Sequence, residues 1–135
     1  AAAGTFSDTS QLAKNLAATL MAVEGVPNIP MFGKNTAAFV HGLPPSSFAN
    51  VDGDSTYVRV QVLTNVGALD RDKQFAVVRQ LSDLIAAAAS DWSLTERTWV
   101  LLTEAPEGGW GLRGHAHLNE ELVTAARAEI AKLQA

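Results

Sequence analysis

The sequence predicts an α+β fold: a two-layer sandwich in which two β-α-β repeats place their helices on one face of a mixed sheet, with a further helix at the C-terminus. Three observations support this prediction. Apolar residues recur with helical spacing in some segments, they alternate in another, and similar residues return at a constant distance along the chain. A right-handed crossover makes the two strands of each unit parallel, and two such units can share one sheet.

The first predicted helix spans Asp8–Glu24. Ser7 or Asp8 can cap its start, and Gly25 followed by Pro27 ends it. Its apolar residues share one face: Leu12, Leu16, Leu20 and Val23. Residues 28–35 are predicted as a loop, 36–42 as a short apolar strand and 43–54 as a loop rich in turn residues.

The second unit has stronger signals. Tyr57–Leu63 alternates between valines and larger or polar residues, as a half-buried strand does. Asp70–Ala89 is predicted as a helix and Arg97–Thr103 as a strand rich in β-branched and aromatic residues. The helix has an apolar face formed by Phe75, Val78, Leu81 and Ile85. The last helix is predicted over Asn119–Gln134, with Asn119 as its cap.

The two halves match at a constant offset of 62 positions. This offset relates Asp8 to Asp70, Thr36 to Thr98, Pro44 to Pro106 and Phe48 to Trp110. One register that serves helix, strand and loop without a gap indicates an internal repeat. We therefore predict a single domain over 1–135, with repeat units over 1–53 and 56–114 and the C-terminal helix over 119–134.

The same register predicts a strand that these residues do not supply. Subtracting the offset from Tyr57–Leu63 places the opening strand of the first unit almost wholly before Ala1. We expect an additional strand, or a space one strand wide, beside Val58–Leu63. A segment of about six to eight residues, preceding Ala1 or present as a separate piece, would fill it.

Composition excludes several classes of protein. Apolar residues make up 47% of the 135 residues, which is too many for a disordered chain, and there are no cysteines for disulfides, zinc fingers or a thiol nucleophile. The net charge of −4, without a basic cluster, argues against nucleic-acid binding. No apolar run approaches the ~20 residues of a membrane helix, so we expect no membrane association and a cytoplasmic setting.

The loop TEAPEGGWGLRG after the last predicted strand resembles the tautomerase superfamily, whose small members are similar to 4-oxalocrotonate tautomerase. The matching residues are Thr103, Glu104, Gly109, Trp110, Gly111 and Gly114, and the turn Val66–Gln74 is also similar. The resemblance is strong over 57–114 and weak over 8–53. It is closest to the double-length group that includes malonate semialdehyde decarboxylase and cis-3-chloroacrylic acid dehalogenase, whose members are trimers.

The resemblance implies chemistry by an N-terminal proline. Its secondary amine, held in an apolar site, has a lowered pKa and can move a proton near neutral pH. Arginines bind the substrate carboxylate. Here the terminal residue is Ala1, and Ala68 and Trp99 stand where the family has arginines. The base would therefore lie upstream of Ala1, in a segment beginning with proline.

Three arginines could replace the family's carboxylate ligands. Arg71 lies one turn beyond Ala68, Arg97 lies two residues before Trp99 on the same side of the strand, and Arg113 lies in the loop. Trp110 and Trp99 could form the apolar wall of the pocket. The simpler alternatives are solvated arginines and a tryptophan packed at a subunit contact.

No cofactor or metal is expected. His115 and His117 share a side in extended chain, but no cysteine or convincing third ligand accompanies them, so we predict a polar lead-in to the last helix.

Two main function classes follow: a tautomerase-type enzyme acting on a small 2-oxo or unsaturated carboxylic acid, and a catalytically silent binding or structural subunit. A ferredoxin-like ligand-sensing domain is a weaker third. An apolar sheet face, either Val58, Val60 and Val62 or the side of Trp99 and Leu101, predicts a homotrimer.

Overall fold

A computed structural model describes all residues, 1–135. The helices and strands are α1 (Thr9–Glu24), α2 (Pro30–Lys34), β1 (Val58–Asn65), α3 (Arg71–Ala89), β2 (Thr98–Ala105), β3 (Trp110–Leu112), β4 (His115–His117) and α4 (Asn119–Gln134). Two 3₁₀ turns occupy Pro45–Ser47 and Trp92–Arg97. The fold is α+β, as predicted. None of the helices combines the length and the apolarity that crossing a bilayer requires.

β1, α3 and β2 form the predicted β-α-β unit. β1 and β2 are parallel, and their register runs from Val58 beside Thr98 to Asn65 beside Ala105. Both strands begin one residue later than predicted and end two residues later, at Asn65 and Ala105. The loop after β2 holds an antiparallel hairpin of β3 and β4 that was not predicted, with Trp110 opposite His117. Three-residue strands are too short to give an alternating signal.

The core lies between β1 and the helices α1 and α3. One buried cluster joins Leu12 of α1, Val58 of β1 and Ile85 of α3, and a second joins Val62, Leu69, Val77 and Leu81. Lys73 Nζ on α3 donates to the backbone oxygen of Glu24 at the end of α1, at 2.8 Å. Because α1 and α3 contact the same valines of β1, both helices cover one face of the strand pair, as predicted.

The predicted face of α3 was partly wrong. Phe75 and Val78 are 60% and 38% exposed, whereas Val77 is fully buried. The buried stripe is therefore Val77, Leu81 and Ile85, which recur every four residues, whereas the predicted face began with two three-residue steps. Phe75 lies two residues before Val77 and hence on the other side of the helix, where the guanidinium of Arg71 covers its ring, 4.0 Å from the ring centroid.

The helix ends follow the predicted signals with one exception. The Asp8 and Asp70 carboxylates accept from backbone N–H groups three residues later, and Gly25 closes α1 at φ 76°. Asn119 is the first residue of α4 rather than its cap, which is Leu118. Its side chain is used elsewhere, since Asn119 Nδ2 donates to the Val66 oxygen at 2.9 Å.

The first unit departs most from the prediction. Residues 36–42 do not form a strand, and 30–34 of the predicted loop form the short α2. A parallel bridge between Ala2 and Leu43 is the only sheet-like pairing there, made by Leu43 N donating to the Ala1 oxygen and Ala3 N to the Leu43 oxygen, both at 2.8 Å. The rest of 36–42 has no neighbouring strand to pair with and forms no regular secondary structure.

That bridge lies within one residue of where the repeat places it. Shifting the last β1–β2 pair, Asn65 and Ala105, by 62 positions gives Ala3 and Leu43, and the observed pair is Ala2 and Leu43. Residues 1–3 and 41–43 therefore occupy the positions of the ends of a parallel strand pair, like those of β1 and β2.

β1 has one unpaired edge. It pairs with β2 on one side and has no hydrogen-bonded neighbour on the other. Ala1 lies near the start of this edge, where it packs against the cluster containing Val58. Burial, and then the charge of Arg59, lower the pKa of the Ala1 amino group below its usual value. The second edge of β1 is therefore unpaired along the strand, from Val58 to Asn65.

The face of β1 and β2 away from the helices is open. The valines at 58, 60 and 62 point toward the helices, so this face is formed by the alternate residues. Leu63, Trp99 and Leu101 are 56%, 45% and 46% exposed, and Tyr57 stacks on Trp99 with 4.7 Å between ring centroids. Of the two apolar faces considered from the sequence, the one with Trp99 and Leu101 is thus uncovered.

Candidate active site

A cavity of about 350 Å³ opens where β1 and β2 end. Six residues line it: Thr64, Leu69, Gln74, Leu102, Thr103 and Glu104. Ligands of β-α-β sheets commonly bind beyond the carboxyl ends of the strands, because the loops there are free to carry polar groups. Two of the lining residues are leucines, and the polar groups are two hydroxyls, one amide and one carboxylate.

The strand register places these polar groups side by side. Thr64 lies beside Glu104 and Leu63 beside Thr103 in the parallel pair. Thr64 continues the phase of Val58 and Val62 toward the helices and is only 3% exposed. Thr103 Oγ1 donates to the Val62 oxygen at 2.6 Å, which fixes its rotamer. The ends of the two strands are thereby locked together.

Glu104 closes the cavity on the side of the turn. Its carboxylate Oε1 accepts from the backbone N–H of Gly67, which has φ 77°, at 3.3 Å. A positive φ at this position favours glycine, and the turn it makes lets a main-chain donor face the carboxylate. Glu104 is thus held by the turn that follows β1, although its other oxygen is unconstrained.

Gln74 connects the cavity to the guanidinium group of Arg71. It lines the cavity from the first turn of α3, and its Oε1 accepts from Arg71 Nη1 at 3.3 Å. Its Nε2 donates to the Leu69 oxygen at 3.4 Å. The Arg71 guanidinium is therefore one side chain away from the cavity, and it is exposed enough to turn toward a bound anion.

The glycine-rich loop after β2 is a tight turn. Gly109 N donates to the Pro106 oxygen at 2.8 Å, and Gly108 has φ 77°. A Cβ at Gly109 would lie 2.8 Å from Pro106 Cδ and 2.9 Å from Pro106 O, which are forbidden contacts. Only glycine fits there, so the loop sequence is required by the turn that leads the chain from β2 into β3.

The other predicted site residues lie away from this cavity. Arg97 is at the opposite end of β2, where its Nη2 is 3.3 Å from Asp91 Oδ2. The Ser93 hydroxyl, aided by Arg97, holds the pKa of Asp91 below its usual value. Arg113 occupies the turn between β3 and β4 at φ 53°. The structure brings none of Arg97, Arg113, Trp99 and Trp110 into the cavity lining.

Two polar lining residues, Thr64 and Gln74, were missed from the sequence, as were the two leucines of the lining. Thr64 was detectable, because it continues the buried phase of the valines with a polar side chain. Gln74 carries no signal of its own, since a glutamine in the first turns of a helix is common on surfaces. A further group at this end of β1 is Asn65, whose Oδ1 is buried without a hydrogen-bond partner. A buried acceptor without a donor is costly, so Asn65 marks a place where a donor belongs.

Solved structures share this architecture. A native fused 4-OT superposes with a TM-score of 0.68 over 85% of this chain and 87% of that chain, at 16% sequence identity. A member of the cis-3-chloroacrylic acid dehalogenase family gives a TM-score of 0.72 at 14% identity, over 93% of this chain and 87% of that one. The chain has the fused 4-OT fold. Malonate semialdehyde decarboxylase, in a study of its decarboxylase and hydratase activities, gives 0.59 at 17% identity, over 87% and 86%.

The resemblance to the tautomerase superfamily, inferred from the loop after β2, is therefore confirmed for the fold. No protein-family model matches the sequence, and no curated protein matches it either. The fused 4-OT fold is thus visible here from the arrangement of the backbone and from a short loop motif, whereas overall sequence identity is low throughout.

Proposed function

We propose that the protein is a proton-transfer enzyme of the tautomerase type, acting on a small 2-oxo or unsaturated carboxylic acid. The reaction is tautomerisation, or a decarboxylation or hydrolytic dehalogenation in which the same amine transfers a proton. The observation that carries the proposal is the cavity at the ends of β1 and β2, in the fused 4-OT fold. Its volume suits a small acid, and its hydroxyl, amide and carboxylate groups can hold one.

The base is an N-terminal proline amine in a segment leading into Ala1. Such a segment, laid on the free edge of β1 with its carboxyl end beside Arg59, would run antiparallel to β1. From Arg59 to Asn65 the edge is about 20 Å long, or about six residues of strand. The first residue of a six-residue segment would therefore reach the end of β1, where the cavity opens and where Asn65 Oδ1 lacks a donor.

An amine at that point has the setting that its chemistry needs. Leu69 and Leu102 are the apolar residues of the cavity lining, and contact with them would disfavour the charged ammonium and lower the pKa of an amine, whereas the Glu104 carboxylate would favour the ammonium. A free α-amino group has a pKa of about 8, so a net lowering of about one unit is enough for it to act as a base near neutral pH. Glu104 is placed to accept a proton or to orient a water in the same space.

Arg71 is the substrate's carboxylate ligand in this proposal. It is linked to the cavity through Gln74, whereas Arg97 is paired with Asp91 at the far end of β2. Exchange of the Gln74 contact for a substrate carboxylate gives a charge-assisted, bidentate pair. Arg97 and Arg113 remain candidates for a site completed by another subunit.

The proposal is tested with two chains that differ in one residue. Each carries the same six-residue extension before Ala1, one beginning with proline and the other with alanine. The proline chain should exchange the C3 protons of pyruvate with D₂O, measured by NMR, and the alanine chain should lose most of this activity. Equal exchange by both chains would contradict the proline mechanism. Amide exchange along β1 reports separately whether the extension has docked.

The role of Arg71 has a matched control on the same helix. Arg71→Ala should raise KM more than it lowers kcat, because the arginine holds the carboxylate in ground state and transition state alike. Arg79→Ala, also exposed on α3 but two turns from the cavity, should leave both constants unchanged. A KM that is the same in both variants would remove Arg71 from the site.

A catalytically silent binding or structural subunit is the second candidate. The absence of any cation among the six cavity-lining residues favours it, and so does Ala68 at the position of a family arginine. Such a protein would bind a small carboxylate without converting it, or would only assemble with other copies. Binding detected by calorimetry without proton exchange in the proline chain would favour this function.

Self-association is part of either function. The open face with Leu63, Trp99 and Leu101 is apolar, and a monomer exposing it would be prone to aggregate. Three of the fused 4-OT proteins with this fold are described as trimers, two asymmetric and one symmetric. We place the open face in the interior of a homotrimer.

A further inference from the structure

The hairpin of β3 and β4 brings together three side chains that the proposed function does not use. His115 and His117 lie on β4, and Glu121 lies in the first turn of α4. One possible ligand atom from each lies within 4.8 Å of the other two. The sequence alone offered two histidines and no third ligand, and the junction of the hairpin with α4 supplies it.

In His117 and in Glu121, one polar atom makes a hydrogen bond to the backbone. This bond orients the side chain and leaves the second polar atom available as a ligand. His117 Nε2 faces the Leu112 oxygen at 3.2 Å. A carbonyl only accepts, so Nε2 carries the proton and Nδ1 keeps its lone pair. That Nδ1 is buried and has no hydrogen-bond partner. Glu121 Oε1 accepts from Leu118 N at 3.1 Å, so its orientation is fixed while Oε2 faces His115.

We propose that His115, His117 and Glu121 form a binding site for a divalent transition metal ion of the Zn²⁺ type. Two imidazoles and one carboxylate are a ligand set that zinc accepts, with a fourth position left to water. The hydrogen bond that His117 donates to the Leu112 oxygen and the one that Glu121 accepts from the Leu118 N–H are the outer contacts that typically orient metal ligands. Bound metal would join the hairpin to the start of α4.

The geometry requires only a small adjustment. In a tetrahedral zinc site with bonds of about 2.1 Å, ligand atoms are about 3.4 Å apart. His115 Nε2 and Glu121 Oε2 are 2.6 Å apart, held by a shared proton that a metal ion would replace. Both side chains are substantially exposed, at 58% and 40%, so they can separate by a rotation of their outer bonds. The His115 and His117 rings already contact each other, with centroids 4.6 Å apart.

The alternative is that the three residues only stabilise the helix start. Glu121 Oε1 accepts from the Leu118 N–H, the Glu121 N–H donates to the Leu118 backbone oxygen, and His115 could simply extend these contacts. This alternative explains the Glu121 contacts, but it leaves the lone pair of His117 Nδ1 without a function. The two hypotheses differ in what they predict for His117: it is required for zinc binding only if the three residues form a metal site.

Calorimetry with Zn²⁺ on the untagged chain tests the proposal. We expect one Zn²⁺ per chain, and Co²⁺ in its place should show the visible absorption of a low-symmetry, four-coordinate ion. His117→Ala and Glu121→Gln should each weaken Zn²⁺ binding at least about tenfold. Glutamine still accepts from Leu118 N, so Glu121→Gln keeps the helix cap and removes the ligand charge.

His41→Ala is the matched control, because His41 is the one other histidine of the chain and lies far from this cluster in sequence. It should bind Zn²⁺ as the unchanged protein does. Circular dichroism of each variant verifies that it is folded. The proposal is overturned if the unchanged protein binds no Zn²⁺ at micromolar concentration, or if His41→Ala weakens binding as much as His117→Ala.

Discussion

At the scale of single residues, a few side chains fix the end of the strand pair. Thr103 donates to the Val62 oxygen, Glu104 accepts from Gly67, and Gln74 connects the cavity to Arg71. The first two hydrogen bonds join parts of the chain that are distant in sequence, whereas Gln74 and Arg71 both lie in the first turn of α3. Together these hydrogen bonds convert two strand ends and one helix start into a preformed recess.

Glu24, at the C-terminal end of α1, provides a test of electrostatics away from the cavity. Burial raises its pKa, and the nearby Lys73 opposes part of the rise. A carboxyl whose pKa is raised by folding favours the folded state at low pH and loses that contribution as pH rises through the folded-state pKa. Glu24→Gln should therefore be more stable than the unchanged protein at pH 7, and the advantage should shrink toward pH 4.

Chemical denaturation at both pH values measures this difference. Glu96→Gln, at an exposed position before β2, is the control and should change stability little at either pH. A Glu24→Gln variant that is less stable at pH 7 would mean that the attraction of Lys73 exceeds the cost of burial.

At the scale of elements, the turn after β2 determines how the chain leaves the cavity. Pro106 and Gly109 close the turn with one backbone hydrogen bond, and β3 begins directly afterwards. The position of the His115–His117 strand depends on this turn, because β4 pairs only with β3.

Gly109→Ala should destabilise the protein by about 1–3 kcal/mol, because the added methyl group meets both the ring and the oxygen of Pro106. Gly111→Ala, two residues later in β3, places its methyl group in open space and should cost less. Thermal unfolding of the two variants measures the difference. Equal costs would indicate that the loop relaxes freely around Pro106.

The elements also show what the sequence could and could not predict. α1, α3 and α4 were predicted to within one residue, because each has a periodic apolar face and a clear cap or stop. The prediction of a strand over 36–42 was wrong, because a strand needs a neighbouring strand to pair with and the local sequence pattern does not show whether one is present. Phe75 was assigned to the core by spacing alone, whereas it lies on the exposed side of α3 in contact with Arg71.

The candidate site was less predictable than the fold. The motif residues Thr103 and Glu104 do line the cavity, since they end β2. Gln74 reaches it only because α3 begins beside the strand ends, a contact that depends on how the helix packs. Arg97 was proposed as a carboxylate ligand because it lies on the same side of the strand as Trp99. The cavity, however, lies at the other end of β2, about six residues away.

At the scale of the whole molecule, the open face of β1 and β2 determines assembly. Leu63, Trp99 and Leu101 are exposed together on this face, which no element of the chain covers. Burial of such side chains between subunits provides about 25 cal/mol for each Å² of apolar surface removed from water.

Leu101→Lys should therefore dissociate the proposed trimer, because a lysine at the centre of this face cannot be buried without a partner. Sedimentation velocity at micromolar concentration measures the change. Val123→Lys replaces a residue of similar exposure, 48%, on α4 and should leave the assembly intact. A monomer in the unchanged protein, or a trimer in Leu101→Lys, would contradict the proposed interface.

The free edge of β1 has a consequence for solubility. An eight-residue strand without proline, exposing unpaired N–H and C=O groups, is a template for pairing with other chains in a cross-β arrangement. Its sequence, VRVQVLTN, contains a single charged residue, Arg59. Arg59 is thus the gatekeeper of this edge, and whatever strand covers it also protects the protein from fibril formation.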